Sequence, residues 1–478
     1  MRRLLSIVRL TLANAIRMKV AVVIIVFLAI VIPSLPFILQ TDDTQKGHVQ
    51  ITLTYGIGMV FFLLAIMTIF IGAASISNEK TGQLQLLDTK PVTRWQIILG
   101  KWLGIMALNI VLIIFLGGII YGLTRFIGRA SAGTNKEQTE IRNSVFTARV
   151  SVKPLPPEGI KDKVNREFET RKKEDRIPEN WKVEDEEGNF RAYKEIEYKQ
   201  HLAELELKRH DIVPPGTERL WKFEGINIDR ENMDGVIYLR FKAGTTGARS
   251  DKMLIGRWLF GGTYDPGEGR EPIEKWGTLD VMETIHSPHE IEVPSFVVKP
   301  DGTIEIIFLN LTASDDGRSG LNVVFDPVEG IELLYERTGF LSNYIRYFLL
   351  VLTMLGFLAM LSVASSSFMS FPVAALLAFT ILLNAYGLGT FREFVESTNP
   401  AEIETTGQRV GKGAAKIVYF VVSHIIPDFG RYSMLSNLNS GRYIDWRLVV
   451  HGAVVLVVLF GGIIYAGGCL IFYREELG

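Results

Sequence analysis

The chain has 478 residues, 48% of them hydrophobic, with 44 glycines and a formal net charge of -1. That apolar content exceeds the need of one soluble domain, and the near-zero charge gives no reason to expect a nucleic-acid partner. The single cysteine, Cys469, excludes an intrachain disulfide and a thiolate metal cluster.

The apolar residues are segregated. Residues 20–125 and 341–473 are dominated by apolar runs, whereas 130–338 has an ordinary, charged composition. The fold class expected is an α-helical polytopic membrane protein of six transmembrane helices with an inserted extracytoplasmic domain. Residues 1–19 place Arg2, Ser6, Arg9, Ala13 and Arg17 on one stripe and Leu5, Val8, Leu12 and Ile16 on another, which predicts an interfacial amphipathic elbow helix. A signal peptide is the competing reading, but the apolar run begins only at Val20, continues to Leu39 and is followed by further spans.

Span one is expected over residues 20–39, kinked near its outer end by Pro33 and Pro36. Span two is expected over 52–76. The connection 40–50 holds one Lys, against five Lys plus Arg in residues 1–19 and four in 79–101, so the N-terminus is placed inside.

Residues 77–101 form the loop to span three. Thr81 can cap a short helix opened by Gly82, with Leu84 and Leu87 on one side and Pro91 ending it. Thr93 and Gln96 have capping-box spacing, so the next helix is expected to start there, with Arg94 and Lys101 near the headgroups. Glu79, Gly82, Leu86-Leu87, Pro91, Thr93-Arg94 and Gly100-Lys101 together make this chain resemble the permeases of type-two, exporter-like ABC transporters. The resemblance implies that Glu79, Gly82, Leu84, Leu86, Leu87, Pro91, Arg94 and Lys101 couple the membrane helices to an ABC ATPase subunit. It also implies a second permease copy or related permease as partner, surrounding membrane lipid, ATP and Mg on the ATPase only, and a bacterial cytoplasmic membrane with both termini inside. The bland alternative is an ordinary cytoplasmic loop made basic by the positive-inside rule.

Span three, 102–123, carries Gly118 and Gly122 at the spacing of close helix approach. The insert is expected over 126–340. Its part 154–210 is so charged that it reads as solvent-exposed helix with flexible joins, with Tyr198, Leu202 and Leu205 on a narrow apolar stripe. Its part 213–338 alternates with period two: Ile237, Leu239 and Phe241, then Ile304, Ile306 and Phe308 after a Pro300-Asp301-Gly302 turn. Strands over 221–228, 236–241, 254–260, 290–293, 304–308, 322–325 and 331–335 predict a β-sandwich of jelly-roll or immunoglobulin-like type.

Residues 341–478 hold spans four (346–364), five (371–389) and six (448–472), with 365–370 as a second cytoplasmic turn. The loop 390–447 carries seven Lys plus Arg and six acids, which conflicts with an external position, although its length weakens the charge rule. Within it, an apolar run at 417–426 predicts a re-entrant segment near 413–428. His424 there reads as a packed residue rather than a ligand.

Neither Gly100-Lys101 nor Gly411-Lys412 has the glycine and Ser/Thr of a phosphate-binding P-loop, so no ATP site, no enzyme activity and no cofactor is expected in this chain. The spans place no Asp, Glu, Lys or Arg away from their ends, which argues against an ion-driven carrier. His286, His289 and Glu290 could chelate a metal, but a Ser-Pro turn explains them more simply and no metal is expected. Trp221, Trp258 and Trp276 could stack on sugars, though core packing is the simpler role. A membrane-anchored extracytoplasmic binding or sensory protein is the alternative function.

Overall fold

The computed structural model describes residues 2–17, 19–38, 44–80, 93–130, 135–178, 181–184, 190–227, 236–246, 253–264, 273–299, 301–312, 320–326, 330–397 and 426–474. The chain divides into two compact units, Met1–Ala148 with Thr338–Gly478, and Arg149–Arg337.

The first unit is helical: α1 (Arg2–Arg17), α2 (Lys19–Ile38), α3 (Gln45–Lys80), α4 (Arg94–Ala130), α5 (Asn135–Ser144), α8 (Phe340–Ser366), α9 (Phe371–Ser397), α10 (Leu435–Asn439), α11 (Trp446–Gly452) and α12 (Gly461–Arg474). Between α11 and α12, Ala453–Phe460 winds as a π-helix, so the three segments make one long apolar element. Among the described residues five helical stretches are long and apolar enough to cross a membrane, or six if α1 and α2, bent by 63°, count as one. Among the described residues, the expected six spans thus correspond to five such helices and the bent pair α1–α2.

The helices overrun the predicted spans. The apolar periodicity marks only the part of each helix that would sit in hydrocarbon, while α3 and α4 continue for about a turn or more at their ends. Residues 126–148, assigned to the insert, belong to this unit, where Ile141 and Val145 join the helical core. The same extension corrects the charge reading. Arg346 lies two turns inside α8, buried, donating to the Ile444 carbonyl at 3.2 Å with Tyr443 and Trp446 rings 4.6 and 5.3 Å away. Lys101 likewise lies within α4.

Helix α8 is the centre of the unit. Its most apolar stretch is 89% buried, against 17% for the stretch ending in α12, and α3, α4, α9 and α12 all pack on it. It ends in the turn to α9, where Ser365, Ser366 and Ser367 are buried and only the following residues reach the surface.

The second unit is β-rich with two helices. Strands β1 (Thr147–Val152), β4 (Ile212–Val213), β6 (Val236–Thr245), β9 (Pro288–Pro294), β11 (Val323–Phe325) and β12 (Ile331–Gly339) form a six-stranded sheet. Strands β5 (Glu218–Phe223), β10 (Ile304–Asn310), β7 (Met253–Tyr264) and β8 (Ile273–Thr284) form, in that order, a four-stranded sheet. Period-two burial aims Trp221, Trp258 and Phe308 from one sheet and Phe241, Phe325 and Leu333 from the other into one core. All seven expected strands exist. Strands β1, β4 and β8 were not expected. The first expected strand ends earlier, at Phe223, because Gly225 turns the chain at φ 80°, yet Ile226 stays buried.

The charged segment 154–210 departs from its reading as exposed helix with flexible joins. Helices α6 (Ile160–Lys173) and α7 (Glu195–His210), with the hairpin of β2 (Lys182–Glu184) and β3 (Phe190–Tyr193), enclose a small core of Val164, Phe168, Ile177, Trp181, Tyr198 and Leu202. Its largest side chains are Trp181, Tyr198 and Phe168. Of the predicted stripe, Tyr198 and Leu202 are buried and Leu205 is half-buried.

Candidate coupling surface

Helix α4 begins where Thr93 predicts it to. The Gln96 N–H donates to the Thr93 carbonyl at 2.9 Å, and α4 runs from Arg94. Arg94 donates from Nη1 to the Phe472 carbonyl in the last turn of α12, and its guanidinium lies 5.1 Å from the Phe472 ring and 5.8 Å from that of Tyr473. Carbonyls in a helix's last turn lack intrahelical donors and carry the negative end of the dipole, so a cation there both bonds and neutralises. One residue on, the Trp95 carbonyl accepts from the Tyr465 hydroxyl at 3.2 Å, giving α4 and α12 a second tie.

Lys101 is only 6% exposed and donates from Nζ to the Ser75 carbonyl of α3. A buried ammonium is costly unless an oxygen receives it, so this bond fixes the end of α3 against the start of α4. Trp102 donates from Nε1 to the Gly356 carbonyl of α8 at 2.8 Å. On a third side lies α1. A Cβ added at Gly100 would come within 2.7 Å of Ile7, and one at Gly104 within 2.7 Å of Thr11. Glycine at both positions therefore lets α1 lie directly on the α4 backbone.

This contact bears on two expectations. The face of α1 that packs runs through Leu4, Ile7, Thr11 and Ala15, and Leu12 of the expected interfacial stripe also meets the helical core, while Leu5 and Ile16 of that stripe are 72% and 56% exposed. Close approach occurs at Gly100 and Gly104 rather than at Gly118 and Gly122, where an added Cβ would meet nothing within 4 Å. The four-residue spacing of Gly100 and Gly104 was available in the sequence as the signal for it.

Of the other residues expected to couple to an ATPase, Glu79 lies in the last turn of α3, and Gly82, Leu84, Leu86, Leu87 and Pro91 lie outside the described residues. So do His424 and most of the segment 413–428, of which Ile426, Pro427 and Asp428 are described, without regular secondary structure.

Elsewhere, Trp221 and Trp258 pack in the β core. Trp276 pairs through its backbone with Gly261 at the β7–β8 contact. His286 occupies the turn between β8 and β9 at φ 67°, and the His289 ring contacts Glu283 at 3.1 Å and the Thr284 carbonyl at 2.7 Å. Among the described residues no three His, Cys, Asp or Glu side chains gather as a metal site.

No curated protein and no solved structure matches the chain. A family model does, the one described as ABC-2 family transporter protein, over residues 5–147, the stretch from α1 to α5 that contains the clasped start of α4. Residues 5–147 are thus similar to an ABC-2 family transporter protein, and five helical stretches among the described residues are long and apolar enough to cross a membrane.

Proposed function

We propose that the chain is the transmembrane permease subunit of an ATP-driven ABC export system, working with a separate ATPase subunit and a second permease copy or related permease. Both termini are then cytoplasmic in a bacterial inner membrane, and the second unit is an extracytoplasmic β-sandwich domain.

One observation carries this reading. The residues just after the 81–92 segment are tied to four other helices at once: Arg94 to α12, Lys101 to α3, Trp102 to α8, and Gly100 with Gly104 to α1. A push delivered at that segment is passed to the whole bundle as a rigid displacement, because packed helices sharing short polar ties move together. ATP and Mg belong to the partner in this reading, where they supply the closing movement of the ATPase. This chain's share is to receive that movement on Leu84, Leu86 and Leu87, with Glu79 and Arg94 orienting the segment's ends.

The test is co-purification of the ATPase together with its turnover in the reconstituted complex. Leu86→Asp and Leu87→Asp should each cost about 2 kcal/mol or more of docking energy, the usual size for a central apolar anchor. Bound ATPase should then fall by more than about tenfold. Arg94→Ala should leave binding intact and lower coupled turnover in a graded way, with Arg94→Lys partly restoring it. Thr278→Asp, on an exposed position of β8, serves as control. Normal binding and turnover in both leucine variants would sink the reading.

A further inference from the structure

The second unit contains a cavity of about 490 Å³, within the size range of small-molecule sites. Its floor is formed by Trp221 and Phe325, both buried, with rings 5.0 Å apart edge to face. Main-chain bonds hold the walls around that floor: the Leu155 N–H donates to the Lys222 carbonyl at 2.8 Å, and the Phe325 N–H to the Asp211 carbonyl at 2.9 Å. Leu155, in the proline-rich segment after β1, and Leu207, on the last turns of α7, line the cavity and stand exposed although apolar.

The charges at this cavity come in both signs. Glu204, Asp211 and Asp326 supply carboxylates, and Lys153 and Lys208 supply ammonium groups. Asp326 also lies 3.8 Å from Lys242, and His210 Nδ1 lies 3.8 Å from Asp211. A purely anionic ligand would meet three carboxylates, and a purely cationic one two ammonium groups. A sugar is poorly served, since both aromatic residues of the floor are buried and offer little ring face for stacking. An apolar body with one charge of each sign satisfies both the exposed Leu155 and Leu207 and the rim.

We propose that this cavity binds a short zwitterionic peptide, its apolar side chain packing against the exposed Leu155 and Leu207 and its two termini facing the oppositely charged members of the rim. The site is separate from the coupling surface and needs no ATPase, so its failure would leave the coupling reading untouched.

The experiment uses the full chain in phosphatidylcholine nanodiscs without ATPase, with radiolabelled trileucine as probe in equilibrium dialysis. Saturable binding is expected, at least tenfold weaker in Leu155→Trp and Leu207→Trp, each of which places an indole in the cavity from an exposed position. Lys208→Glu, a milder surface change, should weaken free trileucine but not its N-acetyl, C-amide form. Retention of the unfolding transition in each variant separates lost binding from lost fold. The proposal is overturned if trileucine shows no saturable binding, or if both tryptophan variants bind it normally. It is equally overturned if the capped peptide binds as well as the free one, or if short-chain phosphatidylglycerol displaces the peptide at lower concentration than unlabelled trileucine does, which would mark a lipid-headgroup site.

Discussion

Helix α8 in the membrane unit and strand β7 in the β unit are both buried centres, and they are buried by different side chains. Around α8 the approach is made by small residues: a Cβ at Gly72 would come within 2.5 Å of Ser362, and one at Gly468 within 2.9 Å of Ala364. Its serines turn inward on their own backbone, with Ser362 donating to the Leu358 carbonyl at 2.6 Å and Ser366 to the Val363 carbonyl at 2.8 Å. Around β7 the centre is Trp258, fully buried, with Phe308, Phe241 and Phe325 rings 4.7, 5.1 and 5.9 Å away. Gly256 makes room for the Phe308 ring there, since a Cβ would lie 2.1 Å from it. Lipid is as apolar as leucine, so helices gain by close backbone approach and little by removing apolar surface from solvent. Water rewards the removal of large apolar surface, so the β unit is centred on large rings, whereas around α8 rings such as Tyr344 and Phe348, 4.8 Å apart, share the packing with the small-residue contacts.

That difference should show in what each core tolerates. Trp258→Ala should have the largest effect, about 3–5 kcal/mol from lost transfer energy and the cavity left behind. The measurement is proteolytic protection of residues 149–337 in the full chain, alongside thermal unfolding of the helical unit. Protection should vanish while the helical transition stays. If both are lost together, the two units do not fold separately and the comparison breaks. Gly72→Leu should cost about 1–3 kcal/mol by overpacking, lowering the helical transition without exposing the β unit to protease. An unchanged transition would mean that α3 and α8 are not in the contact shown. Asn109→Ala should cost less, about 1 kcal/mol, because its bonds with Thr68 at 2.9 and 3.1 Å are a polar tie between α3 and α4 with no large area behind them.

What the sequence made legible follows the same division. Period-two alternation marked the strands whose one face is buried, such as β6 and β10, because burial there is imposed by water. Strand β8 escaped notice. Among the described residues it pairs only with β7, and those from Thr278 to Asp280 are all exposed, so little of it repeats apolar and polar in turn. The face by which α1 packs on α4 was not foreseen, because it is chosen by Gly100 and Gly104, two residues that carry no hydrophobic signal of their own. At the candidate coupling surface, Arg94 and Lys101 could be found by charge near the end of a span. Their receivers could not, since Phe472 lies 378 residues from Arg94, Ser75 lies 26 from Lys101, and both bonds are to main-chain oxygen that no side-chain pattern announces.

The smallest expected effect belongs to the outer face of the four-stranded sheet, where charge replaces aromatic area. Arg257 and Asp280 are in register on β7 and β8, with Nε donating to Oδ1 at 2.6 Å and Nη2 to Oδ2 at 3.1 Å. The hydrogen bond from Arg257 holds the Asp280 carboxyl below the ordinary aspartate value, against an opposing effect of desolvation and with the charge of Arg257 adding to the lowering. A carboxyl whose folded pKa lies below its unfolded one contributes stability above the unfolded value, about 3.9, and loses that contribution as pH falls through the folded value. Arg257→Gln should therefore raise the Asp280 titration midpoint, read by carbon NMR of selectively labelled aspartate in the full chain. It should also remove a small stabilisation that is present at neutral pH and absent in strong acid. Because both groups are exposed, 1 M salt should erase most of the difference between the two proteins, whereas salt should leave the cost of Trp258→Ala unreduced. An Asp280 midpoint that is the same with and without Arg257 would show that the pair does not form, and the outer face of this sheet would then need another account of how β8 is held in register.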